Sequence, residues 1–368
     1  AMTNTPIITP SEMLAHMNFA FSEGNNIHFH GASGIGKTDI VRAGAKAQAA
    51  ALGATFYEVG KDPVPADLDN AYAFITFLTS VQDVLDVKGA PQIVNEKTTF
   101  QPNELLPDAK VHGRYGLFFL DELSQGQNSV TNGLTGILLG GQLGKYIFPK
   151  DWRIAACSNR RQDNANIQKL GAQVHQRFSN YEVNASVKDW AAYRISQGSN
   201  GTVPAFLRLC GDGPDGLLHT YTKGDICFAS PRSWEKVDKL ISDGVITDQK
   251  MRENIAASMV GVAAASTLEG FLAMASQLTT WQAIVADPAN ARLPEQGTKN
   301  AISALFALIG MMCQNVTRDT LANAICYLER MPKEFQQTFM LDLQTKSPDL
   351  MDTLEVSRWR ANNNDFAV

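Results

Sequence analysis

No stretch of lysine and arginine stands out in this sequence. With 32 basic against 37 acidic residues, the formal net charge is -5. A surface that holds duplex nucleic acid by its phosphates is therefore not advertised, although a local basic patch made by folding or assembly stays open. Cysteine is scarce: the five, at positions 157, 210, 227, 313 and 326, include no CxxC pair. Their odd number and scatter argue against a disulfide scaffold or a cysteine zinc site. They read as reduced thiols of a cytoplasmic protein. No basic region leads into an apolar run near the N-terminus, and no later apolar run reaches membrane-spanning length, so neither a secretion signal nor a membrane span is expected. Internal repeats and low-complexity tracts are also missing. What remains is an ordinary globular composition, 44% hydrophobic and 19% charged over 368 residues, enough for two or three compact units.

Against that plain background one octet is conspicuous: Gly31, Ala32, Ser33, Gly34, Ile35, Gly36, Lys37 and Thr38. Glycines at its first, fourth and sixth places, closed by Lys-Thr, form a complete phosphate-loop pattern. Ile27 to His30 before it reads as a strand, and the alanine-rich Asp39 to Ala50 after it reads as a helix. The glycines let backbone N–H groups face inward as a cup for phosphate oxygens, and the unpaired N–H groups opening the helix point at the same place. Lys37 can set a compact positive charge between terminal phosphates, and Thr38 can offer its hydroxyl to Mg2+.

A second signal lies at Gly116 to Glu122. Leu117, Phe118, Phe119 and Leu120 are apolar without alternation, as in a strand buried on both faces of a parallel sheet. An acidic residue at the end of such a strand is costly unless it has a task, and the carboxyl ends of parallel strands are where ligands bind. Asp121 is placed to orient Mg2+, and Glu122 to polarise an attacking water. Asn159 ends another strand, Trp152 to Asn159, where its amide can hold that water or read the terminal phosphate; a side-chain cap is the alternative. Arg160 and Arg161 beside it read either as phosphate contacts or as surface residues. Arg177 sits on a short polar segment from which a rigid guanidinium can reach a phosphate on a neighbouring subunit. Arg232, in Ser230-Pro231-Arg232, falls in the first turn of a helix started by Pro231. That is an unfavourable end for a cation unless a bound phosphate relieves it; an exposed pair with Glu235 is the competing reading.

Other segments are read more coarsely. Thr9 to Leu14 carries a helix start, and Thr55 to Val59 reads as a strand between turns. Residues 67–88 are apolar at helical spacing, and residues 89–114 form a turn-rich surface excursion. A helix through Ser129 to Leu139 ends at Gly140-Gly141. Strands alternating with helices predict an α/β core. From about residue 186 the pattern is mostly helical, and the tail after Arg358 is polar and expected to fray.

Taken in order, these residues resemble an AAA+ ATPase of the MoxR-like branch within the dynein-related group, some of whose relatives occur in phages. Gly31–Thr38 is similar to its Walker A loop, and Asp121 with Glu122 to Walker B. Asn159 corresponds to sensor 1, Arg177 to the arginine finger and Arg232 to sensor 2. The resemblance covers roughly residues 10–245. Two departures stand out: Arg160 follows Asn159 where the family often has proline, and Gln176 precedes Arg177 where a more acidic residue is usual. The resemblance implies a doubly wound parallel-sheet domain over residues 1–185, a helical lid over 186–245 and a helical extension over 246–368. It also implies a self-associating hexameric ring with ATP and Mg2+ between subunits, Arg177 acting on the adjacent subunit's site and Arg232 on its own. The implied work is remodelling or maturation of a protein client, often with a partner bearing a von Willebrand factor A domain. Two other functions share the same motifs: a nucleic-acid motor or loader, with Lys145 as a basic pore element, and an ATP-controlled assembly protein with little turnover.

Overall fold

In a computed structural model of the chain, the residues described are 5–160, 170–213, 215–222, 224–295 and 300–363. Two compact units divide the chain, Ala1–Asn184 and Ala185–Val368.

In the first unit the strands are β1 (Ile7–Ile8), β2 (Asn26–Gly31), β3 (Thr55–Glu58), β4 (Ala71–Leu78), β5 (Ala90–Val94), β6 (Lys97–Gln101), β7 (Tyr115–Asp121), β8 (Gln142–Leu143), β9 (Tyr146–Ile147), β10 (Trp152–Ser158) and β11 (Phe178–Val183). The helices are α1 (Pro10–Ser22), α2 (Lys37–Ala51), α3 (Val84–Lys88), α4 (Ala109–His112), α5 (Asn128–Gly140) and α6 (Ala172–His175). Seven of the strands form one sheet in the order β1-β11-β2-β10-β7-β4-β3, and every pairing in it is parallel. Two small antiparallel hairpins, β5-β6 and β8-β9, stand outside it.

Because successive side chains in a strand point to opposite faces, each central strand feeds two cores. Ile75, Phe118 and Ile154 pack with Val130 and Leu134 of α5. On the other face Tyr72 donates its hydroxyl to Gln48 of α2, and the Arg42 guanidinium of α2 lies over the Phe74 ring. Helices on both faces explain why β7 carries no polar alternation. Helix α1 starts as its sequence demands: Thr9 caps it, Pro10 takes the first position, and the Glu12 carboxylate accepts the Thr9 N–H at 2.7 Å.

Two expectations need correction. Residues 71–78, within the stretch read as helical, form strand β4, buried along most of its length. A short apolar run has no period that separates a buried strand from a buried helix. The tail does not fray at Arg358: Trp359 is 1% exposed and its indole N–H donates to Gln336.

In the second unit the helices are α7 (Val187–Ser196), α8 (Thr202–Cys210), α9 (Pro231–Asp243), α10 (Gln249–Val260), α11 (Val262–Ala275), α12 (Trp281–Ala286), α13 (Ala301–Asn315), α14 (Leu321–Leu328), α15 (Lys333–Lys346) and α16 (Leu354–Ala361). One core gathers Trp190, Phe206, Trp234, Val260 and Leu268 from α7 to α11. A second gathers Ile284, Leu308, Tyr327, Phe339 and Trp359 from α12 to α16. Arg208 of α8 ties them by a bidentate pair to Asp342 of α15, at 2.5 and 2.6 Å. The parallel sheet with helices on both faces, followed by a helical region, fits the α/β AAA+ fold that the resemblance implied.

No helix among the described residues is long and apolar enough to cross a membrane.

Candidate functional site

The octet leaves the carboxyl end of β2 and runs into α2. Gly34 and Gly36 adopt φ of 80° and 88°, left-handed values that favour glycine. Gly31 is required for another reason. A Cβ there would stand 2.7 Å from the Val183 carbonyl oxygen of β11, so the first loop glycine permits close strand packing. Lys37 opens α2 and is 8% exposed. Its ammonium donates back to the carbonyls of Gly31 and Ala32 at 2.9 and 2.7 Å, which holds the charge over the loop.

Thr38 reaches across to β7, and its hydroxyl donates to Asp121 Oδ2 at 2.9 Å. The loop and the acidic strand end, 83 residues apart in sequence, are thereby one site. Burial pushes the Asp121 carboxyl above its ordinary range, opposed by hydrogen bonds from Thr38 and from the Glu122 N–H. A hydroxyl and a carboxylate oxygen side by side are hard donors of the kind Mg2+ takes, so Thr38 and Asp121 fit that ion.

Glu122 has φ of 54°, left-handed for a non-glycine residue. The turn aims its side chain toward the segment just after β4, where Ser80 Oγ donates to Glu122 Oε2. Sequence reading missed Ser80, and the signal was there: once residues 71–78 are a strand, Ser80 follows it at the sheet edge where Leu78 pairs with Asp121.

Asn159 follows β10, which lies between β2 and β7, so it shares the carboxyl edge with the loop and the acidic pair. Arg160 is engaged with Glu182 and Asn184 at 3.3 and 3.2 Å, and Arg161 lies outside the described residues. Arg177 is exposed and precedes β11. In that parallel strand Phe178 pairs with Asn26 and Val183 with Gly31. Arg177 is therefore at the amino edge, about 20 Å of strand away from the loop. Arg232 lies in the second unit, exposed in the first turn of α9. The competing pair with Glu235 does not form, because Glu235 bonds Arg194 at 3.0 Å. Lys145 is exposed in the β8-β9 turn.

A cleft of about 410 Å3 opens near Asn18, Gln48, Tyr72 and Arg153. Tyr72 and Gly116 place it by the amino ends of β4 and β7, and it contains none of the predicted site residues.

No family model matches the chain, and no curated protein matches it. Solved structures do. NtrX from Brucella abortus in complex with ADP is similar at 13% identity and TM-score 0.38, over 96% of this chain and 68% of that one. A mutant of Thermotoga maritima RuvB is similar at 13% identity and TM-score 0.38, over 85% and 86%. The Aeropyrum pernix ORC2 protein, in ADPNP-ADP complexes, is similar at 11% identity and TM-score 0.40, over 92% and 85%. Likenesses this distant carry no functional argument; the parallel sheet with a phosphate-loop pattern at the carboxyl end of β2 is what describes the chain.

Proposed function

We propose that this protein is an AAA+ ATPase of MoxR-like type that hydrolyses ATP with Mg2+ and uses the turnover to remodel or mature a protein partner. The observation that carries the ATPase reading is the Thr38–Asp121 hydrogen bond of 2.9 Å, which joins a phosphate loop to an acidic strand end with Glu122 beside it. The loop N–H groups and Lys37 bind the phosphates, with Lys37 exchanging its two loop carbonyls for phosphate oxygens. Thr38 and Asp121 would hold the metal, which would supply positive charge against the phosphates. Glu122 accepts a proton from the attacking water as the new P–O bond forms and the bond to the leaving ADP oxygen breaks. Asn159 orients that water.

Arg177 serves the neighbouring subunit, a role supported by its exposure and by its position at the sheet edge remote from its own loop. The assembly is a ring, hexameric in the family it resembles. Residues 1–185 are its nucleotide domain, 186–245 a lid whose Arg232 acts on the same subunit's phosphates, and 246–368 an extension. A protein with a von Willebrand factor A domain is the partner class to seek, in the cytoplasm.

Steady-state phosphate release tests the reading. Glu122→Gln lowers turnover at least ~100-fold while nucleotide binding persists; unchanged turnover overturns the assignment. Arg177→Ala keeps nucleotide binding and suppresses turnover, and loss of binding with assembly intact overturns the trans-acting role. Affinity capture with the Glu122→Gln form then identifies the client.

A further inference from the structure

Behind the loop, on the sheet face that α6 covers, three histidines meet: His28 and His30 of β2 and His175 of α6. One nitrogen of each ring lies within 4.8 Å of one nitrogen of each of the others. The His28 and His30 ring centroids are 3.8 Å apart, and those of His28 and His175 6.2 Å. The ATPase reading uses none of these rings. We propose that His28, His30 and His175 form a site for a divalent transition-metal ion, with Zn2+ the leading occupant.

The hydrogen bonds around the cluster say which nitrogens are available. The Asn180 amide donates to the carbonyls of His175 and Phe178 at 2.7 and 2.8 Å, so its Oδ1 is an acceptor. His30 Nε2, 3.2 Å from that oxygen, therefore carries the proton and leaves Nδ1 with a lone pair. His175 Nδ1 makes a longer approach of 3.5 Å to the same oxygen, which leaves its Nε2. His28 is fully buried, with Nε2 2.8 Å from Ser158 Oγ. That hydroxyl oxygen accepts the Ser124 N–H, and in the tautomer that coordinates a metal it also accepts from His28 Nε2. In that tautomer His28 Nδ1 presents its lone pair, and no hydrogen bond meets it.

A buried nitrogen without a partner costs free energy unless something binds it. Histidine ligands held through their second nitrogen are the usual arrangement of a metal centre, because that bond fixes both tautomer and ring direction. Nitrogens of a tetrahedral zinc site stand about 3.4 Å apart at Zn–N near 2.1 Å, so closure from 4.8 Å asks for ring rotations of about an ångström. Three imidazoles suit zinc, copper or nickel and suit Mg2+ poorly, which separates this site chemically from Thr38 and Asp121. The charges acting on it are the Lys37 ammonium, which opposes a cation, and the Glu182 carboxylate, which favours one. An ion here would pin α6 to the strand that feeds the phosphate loop.

The test uses the full chain, stripped with a chelator and free of nucleotide, so its outcome is independent of the ATPase reading. Calorimetric titration with ZnCl2 is expected to show one equivalent bound, and Co2+ to give the absorption bands of a low-symmetry imidazole site. His175→Ala, on the half-buried helix where folding is least at risk, is expected to weaken Zn2+ binding at least 10-fold with an unchanged circular dichroism spectrum. His30→Gln should do the same. Absence of stoichiometric uptake by the folded wild type overturns the site, as does uptake that neither substitution changes, since His16, His112 or His219 would then be responsible.

Discussion

Replacing Arg194 by methionine isolates the energetics of the second unit. Arg194 of α7 is 7% exposed, and its Nε donates to Asp238 Oδ2 at 2.9 Å. Asp238 of α9 is fully buried, and its other oxygen accepts the Ser199 hydroxyl at 2.7 Å. Methionine fills similar volume but leaves Asp238 with one hydrogen bond and no counter-charge. Breaking a buried pair from one side costs about 3–5 kcal/mol. The second bond of Arg194, to Glu235, adds little, because that carboxylate is 45% exposed. With a urea slope of about 2 kcal/mol/M, the midpoint falls by roughly 2 M, read by the emission of Trp190 and Trp234 in the same core. The sign with pH is also fixed. Burial holds the Asp238 carboxyl above its ordinary value in the folded state, and loss of Arg194 raises it further. Between the unfolded and folded values the native state binds more protons, so stability falls as pH rises. The defect of the variant is therefore smaller near pH 5 than near pH 7.5. The double substitution Arg194→Met with Asp238→Leu recovers most of the loss, because no buried charge remains. A midpoint shift below about 0.5 M, or a double variant no better than the single, refutes this reasoning.

Two further outcomes follow from close contacts. Gly116→Ala would place a methyl 2.6 Å from the Trp152 ring, and overpacking of this kind costs about 1–3 kcal/mol, seen as a lowered thermal midpoint. Thr38→Val removes the Asp121 hydrogen bond and the proposed metal ligand, so on the proposed function ATP affinity measured with and without Mg2+ becomes nearly equal; a preserved Mg2+ dependence contradicts the role proposed for Thr38.

The strands that carry the site were legible because their sequences admit few alternatives. Phe118, Phe119 and Leu120 ending in Asp121 describe a strand buried on both faces, and the octet's glycines allow the backbone to curl, with Gly34 and Gly36 at positive φ. Strand β4 was not legible by period, though its aromatic and β-branched residues, Tyr72, Phe74, Ile75, Thr76 and Phe77, favour a strand over a helix. With β4 misread, Ser80 had no reason to be near Glu122. The histidine cluster was out of reach for a different cause: His175 meets His28 and His30 only through the packing of α6 on β11, which no local pattern encodes. Trp359 illustrates the same limit, since its polar neighbours conceal a side chain that the core of α12 to α16 encloses.

The parallel sheet also sets an order in time. Among the described residues strand β2 pairs only with β10 and β11, so the partners of the loop-bearing strand leave the ribosome long after it does. Asn180, which pairs with His28, emerges about 150 residues later, on the order of ten seconds or more at ordinary synthesis rates. Until β10 emerges Ile27 and Phe29 have no neighbouring strand to enter, and until β11 emerges the glycine loop lacks the strand that packs on Gly31. On the proposed function, nucleotide capture waits for β10 and β11 to complete the sheet, and a product ending before Val183 is expected to lack it.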